Sequence, residues 1–368
     1  MTRAAPVAAL PAEPTAPAEP IAGADWTAAL AAIRDLPADP EILLVCHVNP
    51  DGDALGSMLG CGLGLIRAGL PVQATFPGPF ELTPPFDQLP GRELLIDPSA
   101  APAAPDLFVC FDAASATRLG ELADRLDTAG TSIVVDHHAS NTRFGRIHLV
   151  DPGAAATSVV VEELLRRLGV PLDEAIAECL YVALSTDTGS FKFDLTTPAV
   201  HELAARLLAT GLRPAEISRR LFDSRPFGAM KLYGDVLARA TFEPAAAAGR
   251  GLVWSYATLA DLERHGQPRH VLEGLIDAVR VAEEADVACI LKQAGAPASD
   301  QSSSAASGTA HDPDRSEWTV SLRSKGGVDV AEVAVGLGGG GHRLAAGFTV
   351  DGSLDEVIEV IRSALELP

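Results

Sequence analysis

Residues 42–60 read ILLVCHVNPDGDALGSMLG, and the fold turns on this stretch. Its first five positions are uninterrupted apolar residues, the mark of a strand buried on both faces. The chain then turns polar at His47 and N-P-D-G-D, and a helix of small residues follows from about Ala54 to Ala68. Two more runs repeat the plan, DLFVCFD at 106–112 and SIVVDHH at 132–138. Continuous apolar strands alternating with helical stretches predict an α/β fold built on a parallel sheet. TSVVVEELLRRLGV (157–170) and PLDEAIAECLYVALSTDTG (171–189) read as helices. The second carries Pro171 in its first turn, and Asp187 falls just past its end.

In an open parallel sheet the carboxyl ends of the strands share one edge, where ligands bind. That edge gathers His47, Asp51 and Asp53 from the first strand end, Asp112 from the second, and Asp136, His137 and His138 from the third. Any one of these has an ordinary reading: Asp53 ahead of A-L-G-S, taken alone, is a helix cap. Together they read as a metal site. Asp51, Asp53, Asp112 and Asp187 would repel one another unless compensated, and two divalent ions balance four carboxylates. Two ions about 3.5–4 Å apart activate water and clamp a phosphoryl group. Mixed imidazole and carboxylate donors suit Mn2+ better than Mg2+, with iron, cobalt and zinc left open.

The rest of the sequence bounds the function. At 368 residues the chain fits two domains. Residues 1–25 are Ala/Pro-rich with Arg3 as the lone basic residue, which reads as a disordered tail and fits neither a signal nor a transit peptide. Residues 26–195 form the catalytic domain, 196–237 a helical connection, and 238–368 a smaller α+β domain with a Gly-rich turn after DVAEVAVGL. The Ser/Ala/Gly/Asp tract at 295–316 reads as a disordered insertion. No apolar stretch is long enough to span a membrane. Five scattered cysteines without a C-x-x-C pair suit a reducing, cytoplasmic setting. A net charge of −21 argues against long nucleic acid, which needs a basic track. Gly338 to Gly341 let backbone N–H groups approach an anion, with His342 next to them.

H-V-N-P-D-G-D-A-L-G-S, F-D-A-A, V-D-H-H-A-S-N and L-S-T-D-T-G-S-F resemble the four motifs of the DHH phosphoesterase family. With G-L-G-G-G-G-H-R-L-A-A-G-F at 336–348, the chain resembles the DHHA1-containing branch of oligoribonucleases and 3′-phosphoadenosine-5′-phosphate (pAp) phosphatases, from Trp26 onward. The resemblance implies an active site in the cleft between the two domains. It implies that His47, Asp51 and Asp112 hold one metal ion, and that Asp53, Asp112, His137 and Asp187 hold the other. Asp136 would orient a histidine, His138 would face the phosphoryl group, and Asn49 would help position water or phosphate. In the second domain Arg323, Ser324, Gly339, Gly340, Gly341 and His342 would grip the terminal phosphate or nucleotide.

Few aromatic residues leave little room for a stacking platform, so short substrates are expected: dinucleotides to oligoribonucleotides, linear di-adenylate or pAp. The sequence does not rank these against cyclic di-AMP. The resemblance also makes a homodimer an expected state. The alternatives are an inorganic pyrophosphatase, a single-strand exonuclease of the same superfamily, and a nucleotide-binding regulator without catalysis; the intact acidic and histidine set speaks against the last.

Overall fold

The computed structural model describes residues 21–295 and 315–366. Most of the expected tail (1–20) and of the expected insertion (296–314) lies outside the described residues. The chain divides into two compact units, one ending at Phe222 and the other beginning at Asp223.

The first unit runs α1 (Gly23–Arg34), β1 (Ile42–Cys46), α2 (Gly52–Arg67), β2 (Gln73–Thr75), β3 (Leu107–Phe111), α3 (Ala123–Thr128), β4 (Thr131–Asp136), β5 (Ile147–Val150), α4 (Thr157–Leu168), α5 (Glu174–Asp187), α6 (Pro198–Leu208) and α7 (Pro214–Phe222). Among the described residues its strands form a five-stranded sheet in the order β2-β1-β3-β4-β5, parallel throughout. Apolar residues on both faces explain the unbroken runs. Leu44, Val109 and Val135 pack into one core, while Leu43, Phe108 and Val134 pack into another on the opposite face. The chain direction across the sheet reverses between β1 and β3, and the carboxyl ends of those two strands are the switch point where such sheets place ligands. His47 and Asp112 follow them directly.

Three local expectations are corrected. Residues 23–25 belong to α1 instead of the tail, because Trp26, Ala29 and Ile33 on one helix face are buried. Helix α5 begins at Glu174 with Asp173 as its N-cap, so Pro171 precedes the helix and Asp187 is its last residue. Strands β2 and β5 are additional, edge-located and too short to stand out as apolar runs.

The second unit runs α8 (Phe227–Ala238), β6 (Thr241–Glu243), β7 (Leu252–Ala257), α9 (Leu259–His265), α10 (Leu275–Val279), β8 (Val287–Gly295), β9 (Ser316–Ser324), α11 (Val330–Gly336), β10 (Gly340–His342), β11 (Ala345–Gly352) and α12 (Leu354–Leu365). Its sheet has the order β10-β11-β9-β8-β7-β6, with only β7 and β8 parallel among the described residues. Alternate residues of β8 serve two cores: Val287, Cys289 and Leu291 face one, Ala288 and Ile290 the other. The helical stretch 196–237 is divided between the units. Leu203, Leu207 and Ile217 enter the first unit's core, and Leu232 and Val236 enter the second's.

The glycine run is not simply a turn. Gly340 and Gly341 begin the edge strand β10, paired antiparallel with β11. A Cβ on Gly339 would lie 2.1 Å from Gly347 O, and one on Gly341 would lie 2.5 Å from Ala345 O. Both glycines are therefore required by close backbone packing.

Candidate metal centre

Helix α2 begins where Asp51 accepts hydrogen bonds from the N–H groups of Asp53 and Ala54, both at 3.0 Å. The capping role thus falls to Asp51, and Asp53, two residues on, is buried completely. Its carboxylate meets the start of α4. Thr157 N–H donates to Asp53 Oδ2 at 2.7 Å, Ser158 N–H to Oδ1 at 3.3 Å and Ser57 Oγ to Oδ1 at 2.9 Å. A helix N-terminus favours a negative group at this position. Helices α2 and α5 approach closely because Gly52 and Gly56 lack side chains: a Cβ on Gly56 would stand 2.4 Å from Cys179 O. That approach brings Asp187 to the same place as Asp53.

Asp112 takes a left-handed conformation (φ 56°) after β3, its N–H bonded to Val135 O at 3.0 Å. Thr157 Oγ1 donates to Asp112 Oδ1 at 3.0 Å. Around it stand His47 Nε2, 3.6 Å from Asp112 Oδ2 and 4.0 Å from Asp51 Oδ1, and His137 Nε2, 3.6 Å from Asp112 Oδ1. His137 Nε2 also lies 3.7 Å from Asp53 Oδ2 and 3.1 Å from Asp187 Oδ2. The ring is set by its other nitrogen, Nδ1, 3.1 Å from Ala154 O. His47 is set likewise, with Nδ1 2.8 Å from Val48 O. A carbonyl can only accept, so this arrangement puts the proton on Nδ1 and presents Nε2 as a ligand atom.

Among the described residues, three donor triads of this unit share Asp112, namely His47–Asp51–Asp112, Asp53–Asp112–His137 and Asp112–Asp136–His138, each with ligand atoms within 4.8 Å of one another. At bond lengths of ~2.1 Å, neighbouring ligands of one ion stand roughly 3 Å apart and opposite ones roughly 4 Å. The observed spacings fit that polyhedron. The charges fit as well. Burial, joined by the fields of Asp112 and Asp187, pushes the Asp53 carboxyl well above the usual carboxylate range. At Asp112 burial acts in the same sense, but the His47 hydrogen bond and three histidine charges outweigh it and hold the carboxyl well below that range. Burial disfavours a charged His137, yet its bond to Asp187 and the fields of Asp187, Asp53 and Asp112 raise it well above 6.5. Protons stand where cations would relieve the same repulsion.

Asp136 is fully buried at the end of β4. Its Oδ1 accepts from His138 Nδ1 at 2.7 Å and from His137 N–H at 2.9 Å, and its Oδ2 accepts from Asn141 Nδ2 at 2.6 Å. The histidine whose ring it holds is His138. Asn49 is exposed in the loop after β1, with φ 52°. In the second unit Arg323 and Ser324 end β9, where Arg323 pairs with Ala345. Ser324 Oγ donates to Asp286 at 3.1 Å and accepts from Gly326 N–H at 3.0 Å, so it also shapes the loop after β9. Gly340 faces open space. His342 ends β10 opposite Ala345.

The family model for the DHH family, N-terminal domain, matches residues 41–184, and that for the DHHA1 domain matches residues 277–367. The bifunctional oligoribonuclease and PAP phosphatase NrnA of Thermus thermophilus is 32% identical over 330 residues, spanning 88% of this chain and 90% of that protein. The chain belongs to the DHH family. A probable bifunctional oligoribonuclease and PAP phosphatase NrnA from Streptococcus mutans is 27% identical over 309 residues, 83% of this chain and 88% of its own. The crystal structure of an exopolyphosphatase-related protein from Bacteroides fragilis shares the fold, with a TM-score of 0.78 at 24% identity, covering 94% of this chain and 96% of that one. This DHH protein is a metal-dependent phosphoesterase, a hydrolase of phosphoester bonds, as its motifs imply.

Three site residues were not foreseen. Thr157 opens α4 with no motif of its own, and its importance comes from where the helix N-terminus lands. Asn141 closes V-D-H-H-A-S-N and bonds Asp136. Arg118 places one NH2 group 3.0 Å from His47 Nδ1. For Arg118 nothing in the spacing gave a signal.

Proposed function

We propose that the protein hydrolyses short nucleotide substrates, dinucleotides to short oligoribonucleotides, linear di-adenylate and pAp, to mononucleotides, using two Mn2+ ions. The single observation behind this reading is that the triads His47–Asp51–Asp112 and Asp53–Asp112–His137 share Asp112. In it His47, Asp51 and Asp112 hold one ion, and Asp53, Asp112, His137 and Asp187 hold the other. The pair supplies an activated water and charge neutralisation at the phosphoryl oxygens. Asp136 fixes the His138 ring through Nδ1 and leaves Nε2 to hand a proton to the leaving oxygen. Asn49 orients the incoming water or phosphate.

In the second unit Arg323, Ser324, the amides of Gly339, Gly340 and Gly341, and His342 hold the far phosphate or nucleotide. The relatives named as oligoribonuclease and PAP phosphatase support this substrate class. The reading places the enzyme in the cytoplasm, where its five free, buried cysteines would stay reduced, and assembles it as a homodimer.

The test is a panel of pAp, a diribonucleotide, linear di-adenylate and cyclic di-AMP with Mn2+, scored by products. Turnover of the short linear substrates that vanishes in Asp112→Ala is expected. Undiminished turnover in that variant would remove the two-metal assignment. Arg323→Ala should weaken nucleotide turnover while sparing a small generic phosphodiester, and equal loss on both would remove the anchoring role.

A further inference from the structure

Two groups compete for one nitrogen of His47. Its Nδ1 lies 2.8 Å from Val48 O and 3.0 Å from an NH2 group of Arg118. A carbonyl accepts and a guanidinium donates, so Nδ1 can serve only one of them at a time. When Nε2 is a metal ligand, the proton of the neutral ring resides on Nδ1 and the Val48 carbonyl takes it. The Arg118 donor then has no acceptor there.

The backbone keeps the Arg118 main chain beside the His47 loop regardless. Val48 N–H donates to Arg118 O at 2.9 Å, tying the two loops together. Two residues on, Gly120 adopts φ 49° and ψ −131°, a conformation that L side chains rarely adopt, and a Cβ there would lie 3.0 Å from Pro77. Arg118 itself is exposed. The Asp51 side chain near His47 Nε2 is 58% exposed, while that of Asp53 is fully buried. Arg118 brings a positive charge to the edge of a site lined by carboxylates.

We infer that Arg118 is a phosphoryl-binding residue: with His47 engaged through Nε2, its guanidinium leaves Nδ1 and donates to non-bridging oxygens of the substrate's phosphoryl group. This rests on the phosphoesterase reading and is independent of which nucleoside is attached. A planar fork of donors suits a phosphoryl group, and Lys would supply the charge without the fork.

The test uses the full chain loaded with Mn2+, as wild type, Arg118→Gln and Arg118→Lys, with folding checked by thermal melts. Mn2+ affinity and the affinity of the loaded protein for inorganic phosphate are each measured by titration calorimetry. In Arg118→Gln, Mn2+ affinity should stay within about twofold of wild type while phosphate affinity falls roughly 10- to 100-fold, with Arg118→Lys recovering part of the loss. Phosphate binding in Arg118→Gln equal to wild type would overturn the inference alone. A matching fall in Mn2+ affinity would overturn it too, by making Arg118 a support for His47. A wild type that takes up Mn2+ but no phosphate would bring down the phosphoryl-site reading together with the inference.

Discussion

Thr157 and Asp112 are joined by a hydroxyl-to-carboxylate hydrogen bond of 3.0 Å, both side chains buried, while the Thr157 N–H holds Asp53 at 2.7 Å. One residue at the start of α4 thus orients a carboxylate from each of two other elements. Thr157→Val keeps the shape and removes the hydroxyl, leaving Asp112 Oδ1 one donor short. A buried polar group deprived of its partner costs about 1–3 kcal/mol. Here that cost should emerge as a loss in kcat/KM of roughly 10- to 100-fold, since the misplaced oxygen is a ligand atom. Thr157→Ser should restore most of the activity. A Val variant with wild-type kcat/KM and wild-type metal affinity would show the bond to be incidental.

Metal uptake should release protons and strengthen with pH. In the metal-free protein the His137 and Asp53 pKa values are both raised, so each contributes stability that is full below its unfolded pKa and lost as pH rises through the folded one. Asp112, depressed, contributes in the opposite sense, but only at acid pH, since its contribution is complete above the ordinary carboxylate range. Near and above neutrality the raised histidines His137, His47 and His138 govern, so the metal-free melting temperature should fall with rising pH while the shift on adding Mn2+ grows. Calorimetry in two buffers of different ionisation enthalpy counts the protons directly. Binding without proton release and with no pH dependence from pH 6 to 8 would contradict the ligand assignment.

Much of this was legible in the sequence because it lies in unbroken patterns. The runs at 42–46, 107–111 and 133–135 are apolar throughout since both sheet faces are covered, and the acidic and histidine residues stand at their ends. Strands β2 and β5 lack that signature because they are short and only partly buried, β2 opening on exposed Gln73 and β5 on the half-buried Ile147 and His148. The division of labour between Asp51 and Asp53 was hidden as well. Both sit beside the same helix start, and the outcome depends on α4 arriving to satisfy Asp53 from a hundred residues away. Arg118 was invisible for a related reason: an arginine seven residues past a strand reads as surface until the loop carrying it is seen to fold back onto Val48.

Gly56→Ala is expected to damage the metal centre from a distance. Alanine favours the helix by roughly 1 kcal/mol over glycine, so an isolated α2 would gain. In the fold, the new Cβ would lie 2.4 Å from Cys179 O and 3.0 Å from the Ala183 side chain. Helix α5 would have to move away, and it carries Asp187. Overpacking of this kind costs about 1–3 kcal/mol, and Mn2+ affinity should fall with stability. Thermal melts with and without Mn2+ decide the matter: a variant more stable than wild type, with unaltered metal affinity, would mean that the helices are not in close contact.

In the second unit the strongest local test concerns Asp261. Its carboxylate closes a capping box with Thr258 at the start of α9 and pairs with Arg239, whose guanidinium also donates to Tyr256 O. Burial alone would raise its pKa, but the Arg239 and Thr258 hydrogen bonds prevail and bring it from 3.8 to about 2. A depressed acid contributes stability that is complete above its unfolded pKa and disappears as pH falls through the folded value. A shift of this size corresponds to about 2 kcal/mol. Asp261→Asn should therefore destabilise the second unit by about 2–3 kcal/mol at pH 7, once the weakened cap is included, and by much less near pH 2. Denaturant unfolding followed by the fluorescence of Trp254 and Trp318, both in this unit, reads the effect while Trp26 reports on the other. A loss that stays constant from pH 7 to pH 2 would show that the charge of Asp261 contributes nothing and that only its shape matters.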